Sequence, residues 1–213
     1  MQTMRIIEEF NYDGIFVLND GALIIDTKDN KVIYENSFSM HDVEQLVKVC
    51  RERNIHFAAC TAFDYFVEFI DDVHVKYYGK YGINYTIHEN LLSIKDNVMK
   101  FIVSAPSIIE NWTHNELKIN ISIKTDAPHF KEYAHFKATK KEALAKVLEL
   151  MNYKPSEVIA IGDFYNDLDM IEYVGLGIAM GNAPDDVKEK ANEVTLSNDE
   201  DGVYHALEKY LHQ

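Results

Sequence analysis

The chain has 213 residues, 47% of them hydrophobic and 12% aromatic, enough apolar material for one large domain or two small ones. Its formal net charge of −14 argues against nucleic acid and anionic membranes as partners, since both are bound by Lys and Arg neutralising phosphates. No apolar run approaches the roughly 18–20 residues that span a bilayer, and the opening MQTMRIIEEF lacks the basic end and apolar run of a signal peptide, so a cytoplasmic protein is expected.

Around Met4, Ile7 and Glu8 the chain reads as the end of a helix with no N-cap ahead of it. Ile15–Leu18 has the composition of a buried strand, and LIIDTKDNKVIYE at 23–35 reads as a hairpin turning at Asp29-Asn30. Val43, Leu46, Val47 and Cys50 fall at i, i+3, i+4 and i+7, as do Phe63, Phe66, Val67 and Ile70. Two amphipathic helices are therefore expected on either side of the apolar run at 55–60. Cys50 and Cys60 lack CxxC spacing and read as two buried thiols rather than a zinc site or a disulfide. KYYGKYGINY at 76–85 mixes basic and aromatic residues as a single-strand stacking platform does, yet it stands alone in an acidic chain.

Further on, VMKFIVS at 98–104 is a candidate strand and Ser107-x-x-Glu110 a capping box opening a helix. KINISIK at 118–124 alternates strictly, as an antiparallel strand with one wet face does. The sequons at Asn84, Asn111 and Asn120 carry no weight without a secretory signal. Together these features predict a separate α+β module at about 38–132, inserted between two pieces of an α/β layer.

Thr139-Lys140-Lys141-Glu142 is a capping box opening a helix whose apolar face is Ala143, Leu144, Val147, Leu148 and Met151. Two lysines in a first turn oppose the macrodipole; an anion seated there would relieve the conflict, and two solvated surface lysines are the alternative. Val158–Ile161, Gly177–Met180 and Val194–Leu196 are apolar runs of the parallel-strand type, separated by helical stretches at Asn166–Tyr173 and Pro184–Ala191. A doubly wound α/β layer follows. The glycines of GLGIAMG at 175–181 fall within a strand rather than after one, which argues against a dinucleotide site.

The strand at 158–161 runs into GDFYNDLD, which places Asp163 at the carboxyl edge of the sheet, where such folds bind ligands. Clustered carboxylates repel unless a cation sits among them, and an all-oxygen site suits Mg2+. Asp167 can share that site, while Asp169 and Glu172 serve equally as first-turn acids that complement the helix dipole. The nine histidines show no HxH or HExxH spacing, so zinc is not inferred.

EVIAIGDFYNDLDMIEYVGLGIAMGNAPDDVKEKANEVTLSNDEDGV resembles the C-terminal segment of the Cof-type branch of the haloacid dehalogenase (HAD) superfamily, Mg2+-dependent phosphatases. GDFYND matches that family's GDxxND motif, and Lys140, at the start of a helix, matches its motif lysine. VLNDGALI at 17–24 resembles the strand leading into the family's cap, with Asp20 where Asn is usual. The resemblance implies a HAD-like core made of 1–37 and 133–213, with 38–132 as the α+β cap. It implies that Asp163 binds Mg2+, that Asp167 supports the metal and holds Lys140, and that Lys140 pairs with the phosphoryl group. Asn166 would contact the phosphate side, and Gly181-Asn182-Ala183 would form a loop at the same edge, with Asn182 near the phosphate. The expected partner is a small phosphorylated metabolite, with Tyr77, Tyr78, Tyr81, Trp112 and His135 lining the cap or packing it.

Family members attack phosphorus with an Asp of an N-terminal DxDGT motif and hold the phosphoryl group with a later Ser or Thr. Neither motif is present in the 213 residues: NYDG at 11–14 has no strand or DxD before it, and Thr61 of CTAFD falls in the inserted module. The core sheet would then lack its middle strands, so the chain is expected to rearrange, to recruit the missing segment, or to oligomerise and complete the sheet. Two readings compete. One is a phosphatase whose sequence starts downstream of its true N-terminus; the other is a non-catalytic remnant that binds a phosphorylated ligand or partner. Under either, these residues alone are expected to show little phosphatase activity, because the nucleophile is not among them.

Overall fold

The computed structural model describes residues 7, 9, 13–29, 31–104, 121–127 and 130–211. Contacts divide the chain into two units, 1–138 and 139–213. The expected capping box at Ser107 and Glu110, and Trp112, lie outside the described residues. Ile7 and Glu9 are helical, in line with the reading of the first residues.

In the first unit, β1 (Ile15–Leu18), β2 (Leu23–Asp26) and β3 (Lys31–Glu35) form an antiparallel meander, with the expected hairpin between β2 and β3. β1 is a strand as expected but is not buried on both faces: among the described residues it pairs with β2 alone, and Val17 is 39% exposed. Four apolar residues in a row do not distinguish an edge strand from a central one. Between β1 and β2, Asn19, Asp20 and Gly21 all have positive φ, and Asp20 pairs with Lys100 at 2.7 Å.

Among the described residues this unit also holds a six-stranded sheet in the order β6-β5-β4-β7-β9-β8, with β4 at His56–Cys60, β5 at Tyr65–Val67, β6 at Thr86–Ile87, β7 at Lys100–Ser104, β8 at Ile121–Ala127 and β9 at Phe130–His135. Helix α1 (Glu44–Glu52) buries Leu46, Val47 and Cys50 in one apolar cluster with Phe57, Phe101, Val103 and Tyr133. Both cysteines are free and buried, and burial pushes each thiol up to about 12.

The helix expected at 63–70 is absent. Tyr65–Val67 is the strand β5, in register Cys60↔Tyr65 with β4 across a turn closed by Thr61 N–H to the Asp64 carbonyl at 2.9 Å. Phe66 packs on the α1 side of the sheet and Val67 in a separate cluster with Tyr78, so consecutive residues face opposite ways, the period of a strand. The helix lies later, as α2 (Asp72–Tyr81), capped by Asp71 and stopped by Gly82 in the left-handed conformation. The basic and aromatic stretch at 76–85 is thus largely the end of that helix.

Tyr78, the buried residue of α2, shares a 2.7 Å hydrogen bond with His56 Nε2, and the His74 ring stacks on His56 at 3.8 Å. Burial, then the nearby His74, lowers the His56 pKa from 6.5 to about 4. Unfolded chains take up a proton below pH ~6.5 that the folded chain refuses until pH ~4. This stabilisation is therefore complete above about pH 6.5 and is lost as pH falls through that interval, about 2 kcal/mol of it between pH 7 and 5. Urea unfolding at the two pH values is expected to show this loss, and His56→Gln is expected to reduce it.

In the second unit α3 (Lys140–Met151) precedes β10 (Ile159–Gly162), and α4 (Leu168–Tyr173), β11 (Leu176–Ala179), α5 (Asp185–Lys190), β12 (Glu193–Val194) and α6 (Gly202–Leu211) follow. The three strands are parallel in the order β10-β11-β12, as expected, but the third is Glu193–Val194 rather than 194–196, and Ile159, Val194 and Leu196 are exposed, so burial on both faces is not met by the first and third runs among the described residues. Ile171 of α4, Ala179 at the end of β11, Ala183 and Val187 of α5 make the core. Pro184, expected as the first helical residue, sits instead at the cap of α5, one position before Asp185.

Candidate active site

Strands β10 and β11 run side by side, and both end at one edge of their sheet. The Met180 N–H donates to the Gly162 carbonyl at 2.9 Å and carries the pairing to the last residue of β10. Asp163 and Asn182 follow the ends of these two strands, and the Asn182 amide donates to Asp163 Oδ2 at 3.1 Å. The Asn198 N–H in turn donates to Asn182 Oδ1 at 3.0 Å, which fixes the orientation of that amide.

After Asp163 the chain makes a short 3-10 turn, Tyr165–Asp167, before α4. That turn folds the Asp167 carboxylate back over the end of β10. Its Oδ2 accepts from the Asp163 N–H at 3.0 Å and the Phe164 N–H at 3.2 Å, and its Oδ1 accepts from Lys140 Nζ at 2.5 Å. Asp167 is buried, while Lys140 keeps part of its side chain in solvent at the first position of α3. Thr139 caps that helix by accepting from the Glu142 N–H at 3.2 Å. The lysine placed against the macrodipole is thus balanced by a buried carboxylate, with ammonium hydrogens left over for an anion.

The two motif carboxylates differ in how they are engaged. Both oxygens of Asp167 already accept hydrogen bonds. Asp163 is exposed, and its Oδ1 accepts none among the described residues. Among those residues no group of three or more His, Cys, Asp or Glu side chains is placed to hold a metal. Mg2+ typically takes one or two carboxylates and fills its remaining positions with water and phosphate oxygens. Asp163 fits that as one hard oxygen ligand, and Asp167 fits as the group that holds Lys140.

Of the expected site residues, Lys140 meets Asp167, Asn182 meets Asp163, and the Asp163 N–H joins the two pairs. Asn166 occupies the exposed turn directly before Asp167. Lys141 lies with Nζ 5.6 Å from the Tyr173 ring, and Glu172 makes an ion pair with Lys190 at 3.7 Å, so these two have partners of their own. Two residues escaped the sequence reading. Gly162 has a signal, since it precedes the motif Asp: a Cβ there would stand 2.4 Å from Asp167 Cβ. Asn198 has none, because it acts through its backbone N–H.

The profile of haloacid dehalogenase-like hydrolases matches residues 1–207. The Bacillus subtilis 5-amino-6-(5-phospho-D-ribitylamino)uracil phosphatase YcsE is 30% identical over 99% of this chain and 78% of its own length. The phosphatase YwpJ of the same organism is 36% identical over 115 residues, 54% of this chain and 40% of that protein's length. Among solved structures, a haloacid dehalogenase-like hydrolase from Bacteroides thetaiotaomicron superposes with a TM-score of 0.84 at 27% identity, covering 98% of this chain and 82% of that one. With an α/β fold, a profile match along nearly its whole length and a relative 30% identical over 99% of it, the chain belongs to the haloacid dehalogenase-like hydrolase family.

Proposed function

We propose that this chain carries the metal-and-lysine half of a Mg2+-dependent phosphatase site of the Cof type, acting on small phosphorylated metabolites such as sugar phosphates. The observation that carries the reading is the Lys140–Asp167 pair set beside the open carboxylate of Asp163 at one strand edge. Lys140, held by Asp167, offers its remaining hydrogens to a phosphoryl oxygen. Asp163, oriented by Asn182, takes the metal, and Asn166 lies within the same turn to meet the phosphate. A bound Mg2+ would neutralise charge on the phosphoryl oxygens. In this reading 1–37 and 133–213 make the catalytic part and 38–132 the cap. YcsE, whose named substrate is a phosphorylated ribityl compound, supports a polyol or sugar phosphate as the substrate class. Nucleic acid and membrane are not partners.

Hydrolysis through an aspartyl-phosphate needs a nucleophilic carboxylate, and the sequence holds no DxDGT. The 213-residue chain is therefore expected to bind orthophosphate in the presence of Mg2+ but to release little phosphate from p-nitrophenyl phosphate. Calorimetry should show binding weakened tenfold or more by Asp163→Asn and by Lys140→Met. Mg2+-dependent turnover abolished by Asp163→Ala would overturn the inactivity of these residues alone. Phosphate binding unchanged in both variants would overturn the site.

A further inference from the structure

The Asn182 side chain is held from both ends. Its Oδ1 accepts from the Asn198 N–H at 3.0 Å, and its Nδ2 donates to Asp163 Oδ2 at 3.1 Å. A backbone N–H can only donate, so the amide has one orientation: oxygen toward Asn198, NH2 toward the carboxylate. The backbone on the Asn198 side is fixed in its turn. The Ser197 hydroxyl donates to Glu200 Oε2 at 2.6 Å, and the Gly202 N–H donates to the Ser197 carbonyl at 3.0 Å. The Gly181 N–H donates to the Leu196 carbonyl at 3.0 Å, and a Cβ on Gly181 would stand 2.7 Å from Ser197 N. Glycine at 181 therefore lets the 196–198 backbone close on the Asn182 loop.

This arrangement divides the two oxygens of Asp163. Oδ2 is taken by an NH2 that the Asn198 backbone keeps in place, whereas Oδ1 accepts no hydrogen bond among the described residues. The Asp163 backbone is tied as well, since its N–H donates to Asp167 Oδ2 at 3.0 Å. A cation can take Oδ1 without breaking any of these bonds, and can take both oxygens only by displacing the amide. Hard cations differ in what they ask for. Ca2+ gathers roughly six to eight oxygens in a flexible geometry and accepts both oxygens of one carboxylate. Mg2+ demands near-ideal octahedral angles, which the narrow bite of a carboxylate does not meet, and keeps several waters.

We infer that Asn182 is a metal-selectivity residue: by occupying Oδ2 it makes Asp163 a one-oxygen ligand and disfavours Ca2+ relative to Mg2+. The inference rests on the reading that Asp163 takes the metal, and adds which residue sets the choice of cation. Asn182 acts through Asp163 and is a positioning residue.

NMR amide shifts of residues 163 and 182, followed while MgCl2 or CaCl2 is added at constant ionic strength, give a dissociation constant for each metal alone. The wild-type chain is expected to bind Mg2+ at least as tightly as Ca2+. Asn182→Ala, at an exposed position outside the apolar cluster, frees Oδ2. It is expected to tighten Ca2+ about tenfold while Mg2+ moves less than about threefold. Asn182→Asp keeps an acceptor for the Asn198 N–H and sets a second carboxylate beside the first. It is expected to tighten Ca2+ further still, and it decides the matter if the alanine variant fails to fold. A merely structural role would weaken both cations alike and leave their ratio as it was. The selectivity role is overturned by an unchanged Mg2+-to-Ca2+ ratio in the folded variants, or by a wild-type chain that binds Ca2+ about tenfold more tightly than Mg2+. In either case Asp163→Asn, by abolishing both titrations, would still uphold the metal site. If Asp163→Asn leaves both titrations at wild-type values, the metal reading of Asp163 falls, and this inference with it.

Discussion

Asp167→Ala is expected to destabilise the second unit by about 3 to 4 kcal/mol, because one buried carboxylate answers three donors. Truncation strips the Asp163 and Phe164 N–H groups of their acceptor, at about 1 kcal/mol or more each. It also leaves the Lys140 ammonium unpaired; that part is discounted, since the lysine side chain is 31% exposed and water screens it. Asp167→Asn keeps an acceptor for the two N–H groups but turns an amide toward the ammonium, so an intermediate loss is expected. Hydrogen exchange in the 158–170 segment reads the effect locally: the Asp163 and Phe164 amides should exchange faster by two orders of magnitude or more in Asp167→Ala. Pairing Asp167→Asn with Lys140→Met should cost less than the two single losses added, since each single change strands the other charge. Strict additivity would show that the 2.5 Å contact contributes nothing to stability.

What could be read in advance follows from how local each cause is. Strand β11 was legible because a parallel strand covered on both faces must be apolar throughout, β10 because its run is apolar as well although Ile159 stays exposed, and the carboxylates after β10 because no local packing accounts for them. The helix dipole flagged Lys140 and Lys141 alike and left a surface role open for both; the resemblance to the family motif is what singled out Lys140. The stretch at 63–70 misled for a physical reason. Phe63, Phe66, Val67 and Ile70 satisfy a helical period, but the four-residue turn after β4 returns the chain onto the sheet, and long-range pairing decides the outcome. In the site, side-chain chemistry was readable and backbone contributions were not. The N–H groups of Asp163, Phe164 and Asn198 belong to every residue type, and only the folded chain aims them.

Gly162→Ala is the complementary case, in which the backbone contribution is lost through a single added methyl. The new Cβ would lie 2.4 Å from Asp167 Cβ, 2.7 Å from Cγ and 3.0 Å from Oδ2, against the rigid root of the side chain as well as its tip. Asp167 cannot swing aside, because its Cβ is fixed by the 3-10 turn and its oxygens by Lys140 and two N–H groups. β10 cannot retreat either, since Gly162 is paired with Ala179 and its carbonyl is held by the Met180 N–H. The clash must therefore be relieved by opening the turn, which combines the cost of overpacking with loss of the carboxylate's donors, about 3 kcal/mol together. In the phosphate and Mg2+ titration, Gly162→Ala should weaken binding as Lys140→Met does although it touches neither ligand, and the exchange of the 163 and 164 amides should rise with it. Binding and exchange both at wild-type levels would mean that the turn yields at no expense, and the close approach of Gly162 would then not be what seats Asp167 beneath Lys140.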